Sequence, residues 1–352
     1  MGLQTMVVYV IQTGISVREG DFIETIEGLI FDVKGLVHPP NKAIAFLRYY
    51  PSPKGKRSRD GQQYDKIYHL SNRFDFLRQH YPQYLYHDEI FGRELQGVPH
   101  SSIKQVYQPQ ASLSKLKQLN QCDPLQQDVI TLSQMIEQSA RIPEERLGIS
   151  GSVQVDLHGP TSDIDLIVYG RREARAVQLA LKRAQLVPEE GISKYHLDTY
   201  RPVYNLRWSG TGIPIETMLL VDGLKSMHGI FGGHHYFVRA VLNWDQFQQQ
   251  YGDQKFHPLG QARVRCTITN DRDGLFTPCR YEVEDVEFLK GEARDDVREI
   301  VSFRGRFTEQ VRQDEEVIVQ GSLEVVQQGK DQWVRFVLGD NPSDILLPSS
   351  LL

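Results

Sequence analysis

Two carboxylates and a glycine–serine turn are the residues of this chain whose types and spacing could do chemistry. The segment Leu147-Gly148-Ile149-Ser150-Gly151-Ser152 is followed by Ser162-Asp163-Ile164-Asp165-Leu166-Ile167-Val168. Side chains alternate along a strand, so Asp163 and Asp165 share one side of it. Two like charges held together repel, and a cation between them removes that penalty. Carboxylate oxygens suit a hard ion, which makes the pair a candidate Mg²⁺ site. The turn at Gly151 and Ser152 offers backbone N–H groups with no bulky side chain before them, which suits a phosphate. A metal beside a polyphosphate points to nucleotidyl transfer.

The elements that must position these residues read as a strand, the turn, a short loop and a second strand. A helix start precedes them at Asp123-Pro124, where Asp123 can cap, Pro124 suits the first turn and Gln126 completes the cap. Val129, Leu132, Ser133, Ile136 and Ala140 then share a helical face. After the acidic strand, Ala174, Val177, Leu181 and Ala184 form another helical stripe, stopped by Pro188. Tyr204 to Trp208 and Gly212 to Val221 are expected to be further strands. The whole is an α/β unit with a mixed sheet.

On either side of this unit the chain reads as β-rich. Phe22 to Val33 and Ala43 to Tyr50 are expected to form a hairpin, and Tyr64 to Leu70 a third strand. Between them, Lys54 to Arg59 reads as a mobile basic loop, and with Tyr49, Tyr50 and Tyr64 nearby it is a candidate to hold single-stranded nucleic acid. Met6 to Ile11 is an upstream extension or edge strand. Past a polar stretch from Gln246 to Gly260, strands are expected at 262–269, 279–289, 298–303, 316–326 and 332–338. Five strands fit a small barrel of the OB type. The predicted organisation is α+β: a β-rich N-terminal domain (1–120), a core (121–250) and a small C-terminal barrel (261–352).

The net charge of −5 over 352 residues argues against wholesale coating of nucleic acid, although cations exceed acids over residues 1–120. Acids exceed cations over 261–352, so the barrel is a poor nucleic-acid reader. Cys122, Cys266 and Cys279 are too far apart for a zinc motif. No apolar run reaches the ~20 residues of a membrane span, and a cytoplasmic protein with no membrane partner is expected. His234-His235 would point apart on a strand and not share a metal. Arg171 and Arg172 follow the acidic strand and are secondary phosphate candidates.

The order, spacing and strand context of the Gly-Ser turn and the Asp-x-Asp strand resemble the signature of the polymerase-β-type nucleotidyltransferase superfamily. The segments Gly28 to Pro40, Phe276-Thr277-Pro278-Cys279 and Val301 to Phe307 resemble a group of uncharacterised prokaryotic predicted nucleotidyltransferases. The first resemblance implies a nucleotidyltransferase-like core and a third carboxylate from a neighbouring strand. Glu216, an acid inside the apolar run from Gly212 to Leu220, is the candidate, with Asp222 second. The implied chemistry is two-metal, in-line transfer of a nucleoside monophosphate from a nucleoside triphosphate, ATP among them, to a hydroxyl acceptor. Mg²⁺ would be held by Asp163, Asp165 and Glu216, and phosphate by Gly151 and Ser152. The acceptor is a nucleic-acid 3′ end, a protein or a small molecule. The alternative is a non-catalytic nucleic-acid-binding or scaffold protein that keeps the fold.

Overall fold

The computed structural model describes residues 16–187 and 191–352, so the Met6 to Ile11 segment and Pro188 lie outside the described residues. The described residues form three sheets with helices packed against each, an α+β arrangement.

The N-terminal sheet is built from β1 (Phe22–Thr25), β2 (Ile30–Val33), β3 (Lys42–Pro51), β4 (Arg57–Arg59) and β5 (Gln62–Lys66), then, after α1 (Leu70–His80), β6 (Leu85–Asp88), β7 (Arg93–Pro99) and β8 (Ile103–Tyr107). Its main path runs β4-β5-β3-β2-β1-β8, and β7 joins β3 to β6. The single strand expected over Phe22 to Val33 is instead two antiparallel strands. Gly28, at φ +81°, turns the chain between them. The expected third strand ends at Lys66, because Leu70 already begins α1.

The basic segment is no mobile loop. Arg57 to Arg59 pairs with β5 across the turn Asp60-Gly61, whose φ angles of 50° and 77° suit a tight hairpin. Arg59 is then fixed by Glu24, a buried carboxylate 2.7 Å away that also receives Lys104 and the Tyr107 hydroxyl. Tyr49 and Tyr64 are buried in the core, so these rings offer no platform for stacked bases.

The middle sheet has the order β11-β12-β13-β10-β9. It follows α2 (Pro109–Lys117) and α3 (Pro124–Ala140) and comprises β9 (Leu147–Ile149), β10 (Ile164–Tyr169), β11 (Ile192–Ser193), β12 (His228–Phe231) and β13 (His234–Val241). Between β9 and β10 lies the short α4 (Gly151–Gln154), and α5 (Arg171–Ala184) follows β10. The α3 cap is the reciprocal one read from sequence, with Asp123 accepting from the Gln126 N–H and Gln126 reaching back. Val129, Leu132 and Ile136 of α3, and Ala174, Val177, Leu181 and Ala184 of α5, bury against Ile164, Leu166 and Val168 of β10. Each larger aliphatic chain so buried is worth about 1.5–3 kcal/mol.

Two expected strands are helices, α6 (Leu197–Arg207) and α7 (Ile215–Asp222). A short apolar run fits a buried helix as well as a strand, and Pro214 stands at the N-cap of α7. Tyr200 and Val203 of α6 and Met218 and Val221 of α7 pack against the third sheet.

That third sheet consists of β14 (Lys255–Asp273), β15 (Cys279–Lys290), β16 (Val297–Ser302), β17 (Glu316–Gln328), β18 (Asp331–Leu338) and β19 (Ile345–Pro348). The order β14-β15-β16-β18-β17 returns to β14, so five strands close a ring, and β19 adds to β17. The pair β16–β18 is parallel and the other ring pairs are antiparallel. Strand β14 starts at Lys255, ahead of the boundary expected at 261, because Pro258 to Lys255 continue its pairing with β17. Among the described residues no helix is long and apolar enough to cross a membrane.

Candidate functional site

The two faces of β10 have different tasks. Its even-numbered residues fill the core beneath α3 and α5, while Ile167 and Tyr169 pack with Leu36 and Val241 toward the N-terminal sheet. Asp163 and Asp165 belong to this second face, Asp163 exposed just before the strand and Asp165 half-buried within it. The carboxylate pair therefore sits in the seam between the first two sheets.

The glycine–serine turn lies directly on Asp165. Strand β9 pairs antiparallel with β10, which brings the Ser150 N–H to 2.7 Å from the Asp165 carbonyl oxygen. The Ser150 hydroxyl donates to the Gly20 carbonyl at 2.9 Å and ties the turn to the N-terminal segment. Gly151 has φ +66°, and a Cβ placed there would come within 2.2 Å of Asp165 Oδ2. Glycine is required on both counts, conformational and steric. Ser152, buried, follows it in α4.

Cations from two strands of the N-terminal sheet, β3 and β5, and from β13 act on the pair. Burial raises the Asp165 pKa, the Asp163 charge raises it further, and Arg239, Lys66 and Arg48 act in opposition. Lys66 of β5 is pushed down to about 7 by burial and by Arg48 and Arg57, against the pull of Asp165 and Asp163. Burial also opposes the Arg239 charge, but Glu19, Asp32 and Asp165 outweigh it and hold its pKa above the usual value. Glu19 is the tie across the seam: it pairs with Arg239 of the middle sheet and with Lys34, 3.1 Å away, just after β2.

The third-carboxylate candidates are placed differently. Glu216 lies in the first turn of α7 and is exposed, on a helix rather than the strand assumed for it. The strands beside β10 are β9 and β13, and β13 runs parallel to it and sets Phe237 opposite Asp165. Asp222 is buried and already engaged, by Lys225 at 2.8 Å, the Tyr200 hydroxyl at 2.6 Å and the Trp208 indole N–H at 2.9 Å. Arg171 is bound by Asp273 and so is not free for phosphate. The adjacent histidines diverge: His234 Nδ1 meets the Ser162 carbonyl at 3.0 Å, whereas His235 feels the Asp163 charge.

Among the described residues no three His, Cys, Asp or Glu side chains gather as a metal-ligating group. The donor set fits Mg²⁺ in a narrower way. That ion keeps several waters and is commonly bound by one or two carboxylates plus substrate phosphates. Asp163 and Asp165, mutually repelling and flanked by the phosphate-compatible turn, fit an ion that arrives with a polyphosphate. They do not by themselves build the closed two-ion site expected with Glu216.

Arg48, Lys66 and Arg239 were not read from the sequence as site residues. Arg239 carried a signal, being a cation within the apolar run Tyr236 to Val241. For Arg48 and Lys66 the placement depends on how one sheet lies on another, which local patterns do not encode.

An uncharacterized protein of Methanocaldococcus jannaschii is 28% identical to this chain over 332 residues, covering 92% of this chain and 95% of that protein. No family model matches the chain, and no solved structure matches it. The similarity to the archaeal protein extends over all three sheets and is not confined to the acidic strand.

Proposed function

We propose that the chain is a nucleotidyltransferase with a polymerase-β-type core, moving a nucleoside monophosphate from a nucleoside triphosphate to a hydroxyl acceptor. The observation that carries this reading is the contact of Gly151 with Asp165. It unites a turn that suits phosphate with a carboxylate that suits a divalent cation, and the cations around them suit a polyanion.

Asp163 and Asp165 would hold Mg²⁺, which supplies charge neutralisation on the phosphate oxygens when bound. Gly151 and Ser152 would present N–H groups to the outer phosphates. Lys66, Arg48 and Arg239 line the same seam, and fixed positive charge there stabilises the negative charge that develops in the transition state. His235 lies toward Asp163, and burial lowers its pKa, so the neutral ring is the candidate to accept the acceptor hydroxyl's proton. Glu216, exposed on α7, has no assigned part in this scheme.

Calorimetric titration of ATP into the full chain tests the reading. Binding should require Mg²⁺ in the wild type and lose that requirement in Asp163→Asn/Asp165→Asn. Equal Mg²⁺ dependence in both proteins would sink it.

A further inference from the structure

The three segments that resemble a group of prokaryotic proteins outside the acidic strand have no part in the transfer scheme, yet they meet in one place. A cavity of about 700 Å³ opens where the three sheets converge, lined by Lys34, Gly35 and Leu36 of the first segment, all of Phe276 to Cys279, and Val301, Phe303 and Arg304 of the third. Its volume is in the range that encloses a small organic molecule. Much of its wall is aromatic, with Phe46 and Phe74 on the N-terminal side and Phe303 on the ring side.

The charges of the wall are almost all spoken for. Lys34 is paired with Glu19 and Asp32, Arg93 and Arg335 with Glu324, Arg280 with Glu299 and Arg171 with Asp273. Arg304 alone among the lining cations has no carboxylate at salt-bridge distance among the described residues. Its stem is fixed, since a Cβ on Gly339 would lie 2.3 Å from Arg304 Cγ, and its Nε donates to the Gly339 carbonyl at 3.3 Å. Arg48, also without a salt bridge among the described residues, is near enough for the two like charges to interact. Burial pushes Arg304 below the usual guanidinium range, with Asp340 opposing and Arg48 adding to the shift. Burial likewise takes Arg73 down to about 9, and Arg48 and Arg304 both contribute. A half-buried cation with no carboxylate partner is partly desolvated, and an anion relieves that cost.

One link joins the residue after Arg304 to the strand next to the candidate site. A Cβ on Gly305, the residue after Arg304, would lie 2.5 Å from the Phe237 ring, and Phe237 stands opposite Asp165 in the parallel pair of β13 and β10.

We infer that the cavity is a binding site for a small organic anion with an apolar body, its charged group meeting Arg304 and its body lying among Phe46, Phe74 and Phe303. Resting on the transfer reading, this ligand is the hydroxyl acceptor, entering from the ring side while the triphosphate occupies the Gly151 turn.

Fluorescence titration of the full chain with anilinonaphthalene sulfonate tests the site without catalysis. The probe should saturate one site. A charge-assisted contact of about 1.5–3 kcal/mol corresponds to a loss of affinity of about tenfold or more in Arg304→Gln. A similar loss is expected in Leu70→Trp, which fills the cavity without touching charge, and for the neutral parent amine of the probe on the wild-type chain. Circular dichroism confirms that each variant is folded. Equal affinity of wild type and Arg304→Gln, or of sulfonate and neutral probe, overturns the proposal. Asp163→Asn should retain probe binding. Intact, Arg304-dependent probe binding in a chain that transfers no nucleotide counts against the transfer reading and leaves the site standing.

Discussion

Replacing Gly151 by alanine separates a functional contact from an ordinary turn. Two costs follow from the geometry. The left-handed conformation at φ +66° disfavours any L side chain by about 1–2 kcal/mol. The new methyl would also stand 2.2 Å from Asp165 Oδ2, so the carboxylate must move, and forced overpacking typically costs about 1–3 kcal/mol. The expected loss of stability is therefore roughly 2–5 kcal/mol, read from urea unfolding followed by circular dichroism. Gly329→Ala is the internal control. That residue has φ +61° with nothing within 4 Å of a built Cβ, so only the first cost applies. In an Asp165→Ala background the Gly151→Ala cost should fall toward the control value, because the oxygen it meets is gone and only the residue-165 Cβ, at 3.1 Å, remains close. Nucleotidyl transfer should be lost in Gly151→Ala and unchanged in Gly329→Ala. If the two glycine variants are equally stable, or if Gly151→Ala transfers normally, the argument that the turn rests on the carboxylate is refuted.

Other outcomes follow from the same electrostatics. The Asp165 pKa is raised in the folded state, so folding loses stability as pH rises from the unfolded carboxylate range through the folded value. Asp163→Asn removes part of that repulsion and should melt higher than wild type at neutral pH in a chelator, with the difference vanishing in acid below both values. Lys66, at about 7 when folded and 10.5 otherwise, makes stability rise with pH across that interval, while its folded-state charge, which the proposed site would use for a polyanion, is lost as pH passes about 7. Affinity for Mg²⁺-ATP should therefore fall as pH rises through about 7, and Lys66→Met should flatten the profile in calorimetry. Asp222→Asn leaves Lys225 buried without its partner and should cost about 3–5 kcal/mol in urea unfolding. Loss of transfer by a folded Asp222→Asn with wild-type stability would show instead that Asp222 serves the reaction.

Legibility of the chain divided along physical lines. The cap of α3 and the apolar stripes of α3 and α5 were visible because helix termini and amphipathic faces are local. The five ring strands were visible because alternation is local too. Closure of those strands through the β14–β17 pair was not, since it joins segments far apart in sequence. α6 and α7 were misread because their apolar runs do not distinguish a strand from a helix that buries one side on another domain. The Arg57 to Arg59 strand was misread for a different reason: breakers and cations suggested solvent, whereas Glu24, distant in sequence, supplies the partner that draws Arg59 inward. At the site, Asp163, Asp165, Gly151 and Ser152 were legible as a spaced motif. The cations that face them come from β3, β5 and β13, and only the packing of two sheets brings these together.

The most direct measurement of the central claim is transfer of label from a nucleoside triphosphate carrying radioactive α-phosphate, with Mg²⁺ and a cell extract as the source of acceptors. The wild-type chain should label an acceptor and release pyrophosphate, and Asp165→Asn, shown to be folded, should do neither. Labelling that persists undiminished in Asp165→Asn would contradict the account.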